Sequence, residues 1–312
     1  MRRLTQHLRS LLRPSAAPEV RDRWLFSIGV FTGVSPLHLD PDPRFPGAVL
    51  TRDHVTDVPA AFVADPFLAC VAGTWHMFFE VFNLRTRRGE IGLATSSDLA
   101  SWTYQQVVLA EPFHLSYPHV FEWDAAHYMV PETHQTGTIR LYRADPFPGR
   151  WRLVHTLISG SPFADSTLFR HDGRWWLLTE AGGHSDMLRL YHATDLFGRW
   201  TEHPSSPVVE EDLRTARPAG PVVQVGGALY RFAQDCASSY GLSVSGFEIA
   251  ELTTTEYVER PAGASPILAG GREEWNAGGM HHLDAHCLGP ERWIAAVDGW
   301  RRVTAAEFTR RS

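Results

Sequence analysis

The sequence predicts an all-β protein, a five-bladed β-propeller of four-stranded antiparallel blades, on three observations. A unit of about fifty residues recurs along the chain. Each copy reads as short strands separated by turn residues, and Pro and Gly interrupt every candidate helix.

The units follow in order. Blade one opens with "ADPFLACVAGTWHMFFE", ending at Glu80, and blade two with "SYPHVFEWDAAHYMVPE", ending at Glu132. Blade three opens with "ADSTLFRHDGRWWLLTE", ending at Glu180. Blade four has "ARPAGPVVQVGGALYRFAQD", ending at Asp235, and blade five "HHLDAHCLGPERWIAAVD", ending at Asp298. After the first three come "GEIGLATSSDLASWTY", "GTIRLYRADPFPGRWRLV" and "DMLRLYHATDLFGRWTEH": a third strand, an Asp-containing turn and a fourth strand led by Trp102, Trp151 or Trp200. Blade five runs out of chain after "GWRRVTAAEFTRRS", so its missing strand is expected from the N-terminal "WLFSIGVFTGV". Such closure removes an exposed sheet edge. The expected organisation is a basic arm over residues 1–20 and one propeller domain over 21–312.

Composition excludes several classes. A formal charge of −6 argues against a nucleic-acid footprint. No apolar run approaches the roughly 20 residues of a transmembrane segment, and the basic N-terminus lacks the apolar core of a secretory signal. Cys70, Cys236 and Cys287 are an odd set without metal-type spacing, which fits a reduced, cytoplasmic setting. The oligomeric state is left open.

In a propeller the first strand of each blade lines a central channel. The first strands are therefore expected to bring Asp65, His119, Asp165, Arg217 and Asp284 towards one axis. Convergent polar groups in an apolar scaffold make a site. The terminal acids recur in every blade, so receiving backbone N–H groups at a turn is a structural role open to all of them. Glu80 and Glu132 end tight apolar runs, where a buried carboxylate needs a specific partner, and join Asp65 and Asp165 as catalytic candidates. His282, Asp284 and His286 share one strand face and His281 lies on the other. With His114 or His119, His282 and Asp284 could form a two-histidine, one-carboxylate site for a divalent cation on the axis. Residues i and i+4 of a strand lie about 13 Å apart, so the strand supplies only half of such a site. Hydrogen bonding to neighbouring carboxylates is the alternative for these histidines. Phe113 and Tyr117, in loops, are the candidates for a ligand wall.

The segments "ADPF", "MFFEVFN", "GEIGLATSSD", "EPFHLSYPHVFE", "MVPE", "LYRADPFPGRW", "ARPAG", "YRFAQD" and "HHLDAH" carry a resemblance. The chain resembles the five-bladed propeller glycosidases of the arabinanase and β-xylosidase type, glycoside hydrolase family 43-like, and the invertase-like families. From Arg21 to Trp300 it is more similar to the propeller at the N-terminal side of glucosamine inositolphosphorylceramide transferase. The glycosidase resemblance implies a general base at Asp65 and an orienting, pKa-tuning acid at Asp165. It also implies a general-acid Glu before Gly-Pro, where this chain has Arg217. Arginine cannot donate that proton at neutral pH, so Glu80, Glu132 or Asp235 would have to replace it. Arg217, with His119, Asp235, His114 and Tyr117, is expected on the substrate side, with Arg217 suited to a carboxylate or phosphate. The function expected is a glycosidase-like enzyme acting on a glycoside or anionic glycoconjugate. Two alternatives stand beside it: a non-catalytic glycan-binding propeller, and a metal-dependent biosynthetic enzyme using the His282 and Asp284 strand.

Overall fold

Apolar runs punctuated by two-residue turns fold here into five antiparallel sheets arranged as a five-bladed propeller, in a computed structural model that describes residues 23–45 and 47–309. The expected basic arm at 1–20 lies outside the described residues. From the axis outwards, blade one is Ala60–Val71, Thr74–Asn83, Arg88–Ser96 and Thr103–Leu109. Blade two is Ser116–Trp123, Ala126–Glu132, Thr138–Ala144 and Trp151–Ser159. Blade three is Phe163–His171, Arg174–Ala181, Leu188–Ala193 and the short Thr201–Glu202. Blade four is Val223–Val225, Ala228–Gln234, Ser243–Leu252 and Tyr257–Ala262, with Leu268–Ala269 also paired to its third strand.

Blade five closes the ring with two strands from each end of the described chain: Gly279–Gly289 and Arg292–Val303, then Arg23–Ser35 and His38–Pro41. Arg23 to Gly33 pairs without a break against Val303 to Trp293. The N-terminal segment thus supplies a fourth strand as well as the expected third.

The innermost hairpins turn through left-handed residue pairs: Ala72 and Gly73, Asp124 and Ala125, Asp172 and Gly173, Gly226 and Gly227. This is the type I′ geometry that matches strand twist and favours Gly and Asp. Ala125, exposed at φ 54°, sits there without glycine's freedom. Ala125→Gly is expected to raise the unfolding free energy by about 0.5–1 kcal/mol, read as a higher urea midpoint at unchanged slope.

The core lies between blades. One apolar cluster fills each junction: Phe78 and Ile91 meet Val120 and Met129 between blades one and two, and Val130 and Leu141 meet Leu168 and Leu177 between two and three. Trp176 and Leu178 meet Leu229 and Ile249 next, followed by Phe232 and Val244 against Leu283 and Val297. Ile28 and Ile294 against Val63 and Phe79 complete the circle. Each blade is covered on both faces, which is why its second strand reads as a near-continuous apolar run. The three outer Trp residues are blade packing: the indoles of Trp102, Trp151 and Trp200 donate to the carbonyls of Leu99, Pro148 and Leu196 in their own turns. Among the described residues no helix is long and apolar enough to cross a membrane.

Candidate functional site

A repeated β-bulge aims the site. In blade one Ala64 pairs with Glu80 and Phe67 with Phe78, so Asp65 and Pro66 together oppose Phe79. Blades two and three repeat the slip around Tyr117 and Asp165. Asp65, Tyr117 and Asp165 all take φ near +50°, at 53°, 45° and 50°. Non-glycine residues reach this region only when the surroundings hold them there, and such bulges re-aim side chains at functional sites.

The register corrects the sequence alignment of the blades. Blade two presents Tyr117, not His119, at the position of Asp65. In blade five the slip falls between Gly279 and His282, so His281 turns to the site, although the strand pattern alone placed it on the other face. His119 and Asp284 sit further along and stitch blades together: the Leu168 N–H donates to His119 Nδ1 at 3.2 Å and the Leu68 N–H to Asp284 Oδ2 at 2.5 Å. Burial holds the His119 imidazole neutral, pushing it down to about 4.

On the site side, Asp65 is 7% exposed and Glu80 is 6% exposed. Both line a pocket of about 790 Å³ with His114, Tyr240 and His281, beneath a collar of Trp24, Phe26, Phe62, Phe82 and Phe308. Arg23 and Arg87 stand at its mouth.

Asp65 Oδ2 accepts the Tyr117 N–H at 3.2 Å, and its Oδ1 lies 3.6 Å from His281 Nε2. The opposite edge of His281, Nδ1, is 2.6 Å from Asp298 Oδ1, while Asp298 Oδ2 accepts the Asp65 N–H at 2.9 Å. Burial works against a charged His281, but Asp298 outweighs it and the ring is pushed up to about 9. Burial also raises Asp65 above the usual carboxylate range, against the pull of His281.

Glu80 is held differently. The Gly89 N–H donates to His114 Nδ1 at 2.9 Å, which leaves the proton of a neutral His114 on Nε2, 3.6 Å from Glu80 Oε1. Burial keeps His114 neutral. Glu80 Oε1 has no hydrogen-bond partner within the protein. Burial and then the neighbouring Asp65 charge push Glu80 well above the usual carboxylate range, which favours its protonated form. The enclosure depends on Gly89, where a Cβ would meet Leu115 O at 2.1 Å and Glu80 Oε1 at 2.6 Å.

Glu132 and Asp165 lie behind this floor, bound by Arg217. Its Nε donates to Asp165 Oδ2 at 2.6 Å, Nη1 to Ser185 Oγ at 3.2 Å and Nη2 to Glu132 Oε2 at 3.4 Å, and the guanidinium packs on the Tyr240 ring. His134 Nδ1 adds a 2.6 Å contact to Glu132 Oε1. Burial would raise Glu132, but His134 and Arg217 outweigh it and hold the carboxyl at about 2. Burial pushes Asp165 up to about 8 against the Arg217 charge. Each nitrogen of Arg217 is thus committed inside the protein, two of them to carboxylates.

Three expected site residues are elsewhere. Tyr117, 1% exposed, is no ligand wall: its hydroxyl bonds Thr167 Oγ1 at 2.7 Å and accepts the Gly220 N–H at 2.9 Å. Phe113 packs beneath Arg140 and into the cluster between blades one and two. Asp235 turns away to cap the Ala237 N–H, and Gln234 occupies the terminal-acid position, donating to Asp165 Oδ2 at 2.9 Å. A one-residue slip on a strand exchanges its faces. Glu180 takes the structural role open to terminal acids: its Oε1 accepts the N–H groups of Gly183, His184 and Ser185.

The residues expected for a cation are each engaged elsewhere. His282 Nε2 donates to the Pro66 carbonyl, Asp284 is engaged by Leu68 and His286, and His119 and His114 accept the N–H groups of Leu168 and Gly89. Among the described residues, the group with ligand atoms within 4.8 Å of one another is Asp65, His281 and Asp298. It could ligate an ion only if His281 released its proton.

Sequence reasoning missed His281, Tyr240 and the aromatic collar. The doubled histidine of "GMHHLD" was a signal for the first. The collar had none, because its rings come from distant segments, including both ends of the described chain.

A family model described as "Glucosamine inositolphosphorylceramide transferase 1, N-terminal" matches residues 20–300. The curated protein named glucosamine inositolphosphorylceramide transferase 1 from Oryza sativa subsp. japonica is 38% identical over 317 residues, covering 95% of this chain and 42% of its own length. The Arabidopsis thaliana protein of that name is 34% identical over 309 residues, covering 92% and 40%. The chain therefore spans about two-fifths of the curated relatives it matches. Among solved structures, a Cellvibrio cellulosa α-L-arabinanase mutant superposes with a TM-score of 0.55 at 16% identity, covering 78% of this chain and 91% of its own. At that identity the likeness concerns the fold.

Proposed function

This chain belongs to the N-terminal family of glucosamine inositolphosphorylceramide transferase 1, and on that premise we propose that its pocket binds the sugar of a phosphate-bearing glycoconjugate and cleaves or transfers a glycosidic bond. The observation that carries this reading is the pair on the pocket floor: Glu80, buried with an unpartnered oxygen and pushed towards its protonated form, beside Asp65, wired through His281 to Asp298.

Glycosidic cleavage needs one carboxyl to protonate the departing oxygen and another carboxylate to assist the incoming group. Two acids whose surroundings set their protonation apart divide these roles. Glu80 gives its proton to the glycosidic oxygen as the C–O bond breaks. Asp65 takes the proton of the attacking water or acceptor hydroxyl, and the charged His281 stabilises the carboxylate that does so. Glu132, held ionised, is a counter-ion to Arg217 and His134. Arg217 keeps Asp165 and Glu132 in place, and the anion contact passes to Arg23 and Arg87 at the mouth.

A glycan-binding propeller without turnover is the second reading. It is favoured by Arg217, which binds the two carboxylates behind the floor where the arabinanase pattern carries its acid. Asp65→Asn separates the two. Under the first reading, turnover of aryl glycosides and of inositol-phosphate glycosides falls by about 10²–10⁴-fold with binding kept in calorimetry. Absence of turnover in the unaltered protein, with glycan binding that Asp65→Asn leaves intact, would establish the second.

A further inference from the structure

The pocket is not closed by blades alone. The chain leaves blade five at Val303 and makes one short helix, Ala305–Thr309, and three of its residues, Ala305, Phe308 and Thr309, line the pocket. The Phe308 ring lies 6.1 Å from Phe62 and 6.4 Å from Phe82, with the Arg23 guanidinium 5.8 Å above it. What keeps this short segment in place comes from a distant loop. Arg52, outside the pocket, donates from Nη1 to the carbonyls of Glu307 at 2.9 Å and Phe308 at 3.2 Å. Its side chain is 12% exposed, and it spans more than 250 residues of sequence to do this. Arg301 adds a second tie through the Glu307 carboxylate.

Resting on the reading of this pocket as a glycoside site, we propose that Phe308 is a specificity-determining wall for the aglycone or second ring beyond the scissile bond, and that Arg52 is the residue that positions it. The polar floor of Asp65, Glu80 and His114 suits one sugar, whereas the collar above it is built of aromatic faces, which bind flat or apolar ring surfaces. A helix this short does not hold itself. The Arg52 clasp on its last carbonyls turns it into a wall.

The test is a mutant cycle of Phe308→Ala, Arg52→Ala and the double variant, each with a thermal midpoint close to that of the unaltered protein. Three probes are titrated: 4-nitrophenyl glycosides, the matching methyl glycosides, and 1-anilinonaphthalene-8-sulfonate, an aromatic anion that reads the collar without needing a sugar. Phe308→Ala is expected to weaken the 4-nitrophenyl glycosides and the naphthalene probe by about tenfold and to leave the methyl glycosides within about twofold. Arg52→Ala should reproduce this selectivity, raise amide exchange at Phe308, whose N–H donates to the Thr304 carbonyl, and add nothing in the double variant. Additive losses, equal losses on aryl and methyl probes, or unchanged binding of the naphthalene probe to Phe308→Ala would overturn the proposal. If no glycoside binds the unaltered protein yet the naphthalene probe shows the expected cycle, the glycoside reading fails and the wall stands.

Discussion

Glu80→Gln is expected to cut turnover of glycosides with poor leaving groups by about 10²–10⁴-fold while substrate still binds. Glutamine keeps the size of the side chain and cannot give up a proton to the departing oxygen. A leaving group that needs no proton, such as 2,4-dinitrophenolate, should escape most of that loss, to within about tenfold. The pH dependence has a definite sign. Glu80 is raised by burial and by the Asp65 charge, so the active, protonated form persists above the usual carboxylate range and activity falls as pH rises through its raised pKa. Asp65, also raised, must be ionised to act and sets the acid limb of the bell. In Glu80→Gln the alkaline limb should vanish or move. Equal losses on both classes of leaving group, or an unchanged alkaline limb, would remove Glu80 from the acid's role.

Arg217→Ala is expected to be the most destabilising single change at the site, by about 3–5 kcal/mol near neutral pH. The guanidinium holds Asp165 at 2.6 Å and Glu132 at 3.4 Å, and both carboxylates are almost fully buried. Removing it leaves the ionised Glu132 without its cation and Asp165 without its donor in a dry site, where the alternative is to take up protons. In the unaltered protein Glu132 is held at about 2, below the ordinary 4.5, so its contribution to stability is present above the ordinary value and lost as pH falls towards 2. In the variant that depression weakens, and Asp165, already pushed up to about 8, rises further. A raised carboxyl costs stability as pH climbs through its folded value. The deficit should therefore be larger at about pH 8 than at about pH 5, measured by urea denaturation at the two values. A deficit below about 1 kcal/mol at both, typical of a solvated pair, would show that the ion cluster does not hold the floor.

Much of the fold was legible because propeller blades repeat a local pattern. Short apolar runs, Gly- and Asp-rich turns and the recurring acid after each second strand all encode hairpins of four-stranded sheets, and the shortage of strands in blade five announced closure by the N-terminal segment. Legibility stopped at single-residue register. "FAQD" offered an acid one position beyond the inward face, so Asp235 stood in for Gln234. "SYPH" and "HHLD" offered His119 and Asp284, whereas the bulges put Tyr117 at the place of Asp65 in blade two and turned His281 to the site in blade five. Bulges are set by how a strand pairs with its neighbour and by backbone angles that a string of residue types does not state.

By itself the sequence determined the number of blades, the hairpin turns and the presence of an acid at Asp65 and Glu80, because each follows from short-range periodicity. Only the tertiary structure decided which acids share a floor and in which direction their surroundings shift them. Arg217 commits itself to Asp165 and Glu132, while Glu80 is left buried beside Asp65, and both outcomes depend on desolvation and on partners from other blades. The same holds for the collar. Trp24, Phe62 and Phe308 meet at one mouth because blade five is built from both ends of the described chain, and closing that ring makes neighbours of residues nearly three hundred positions apart.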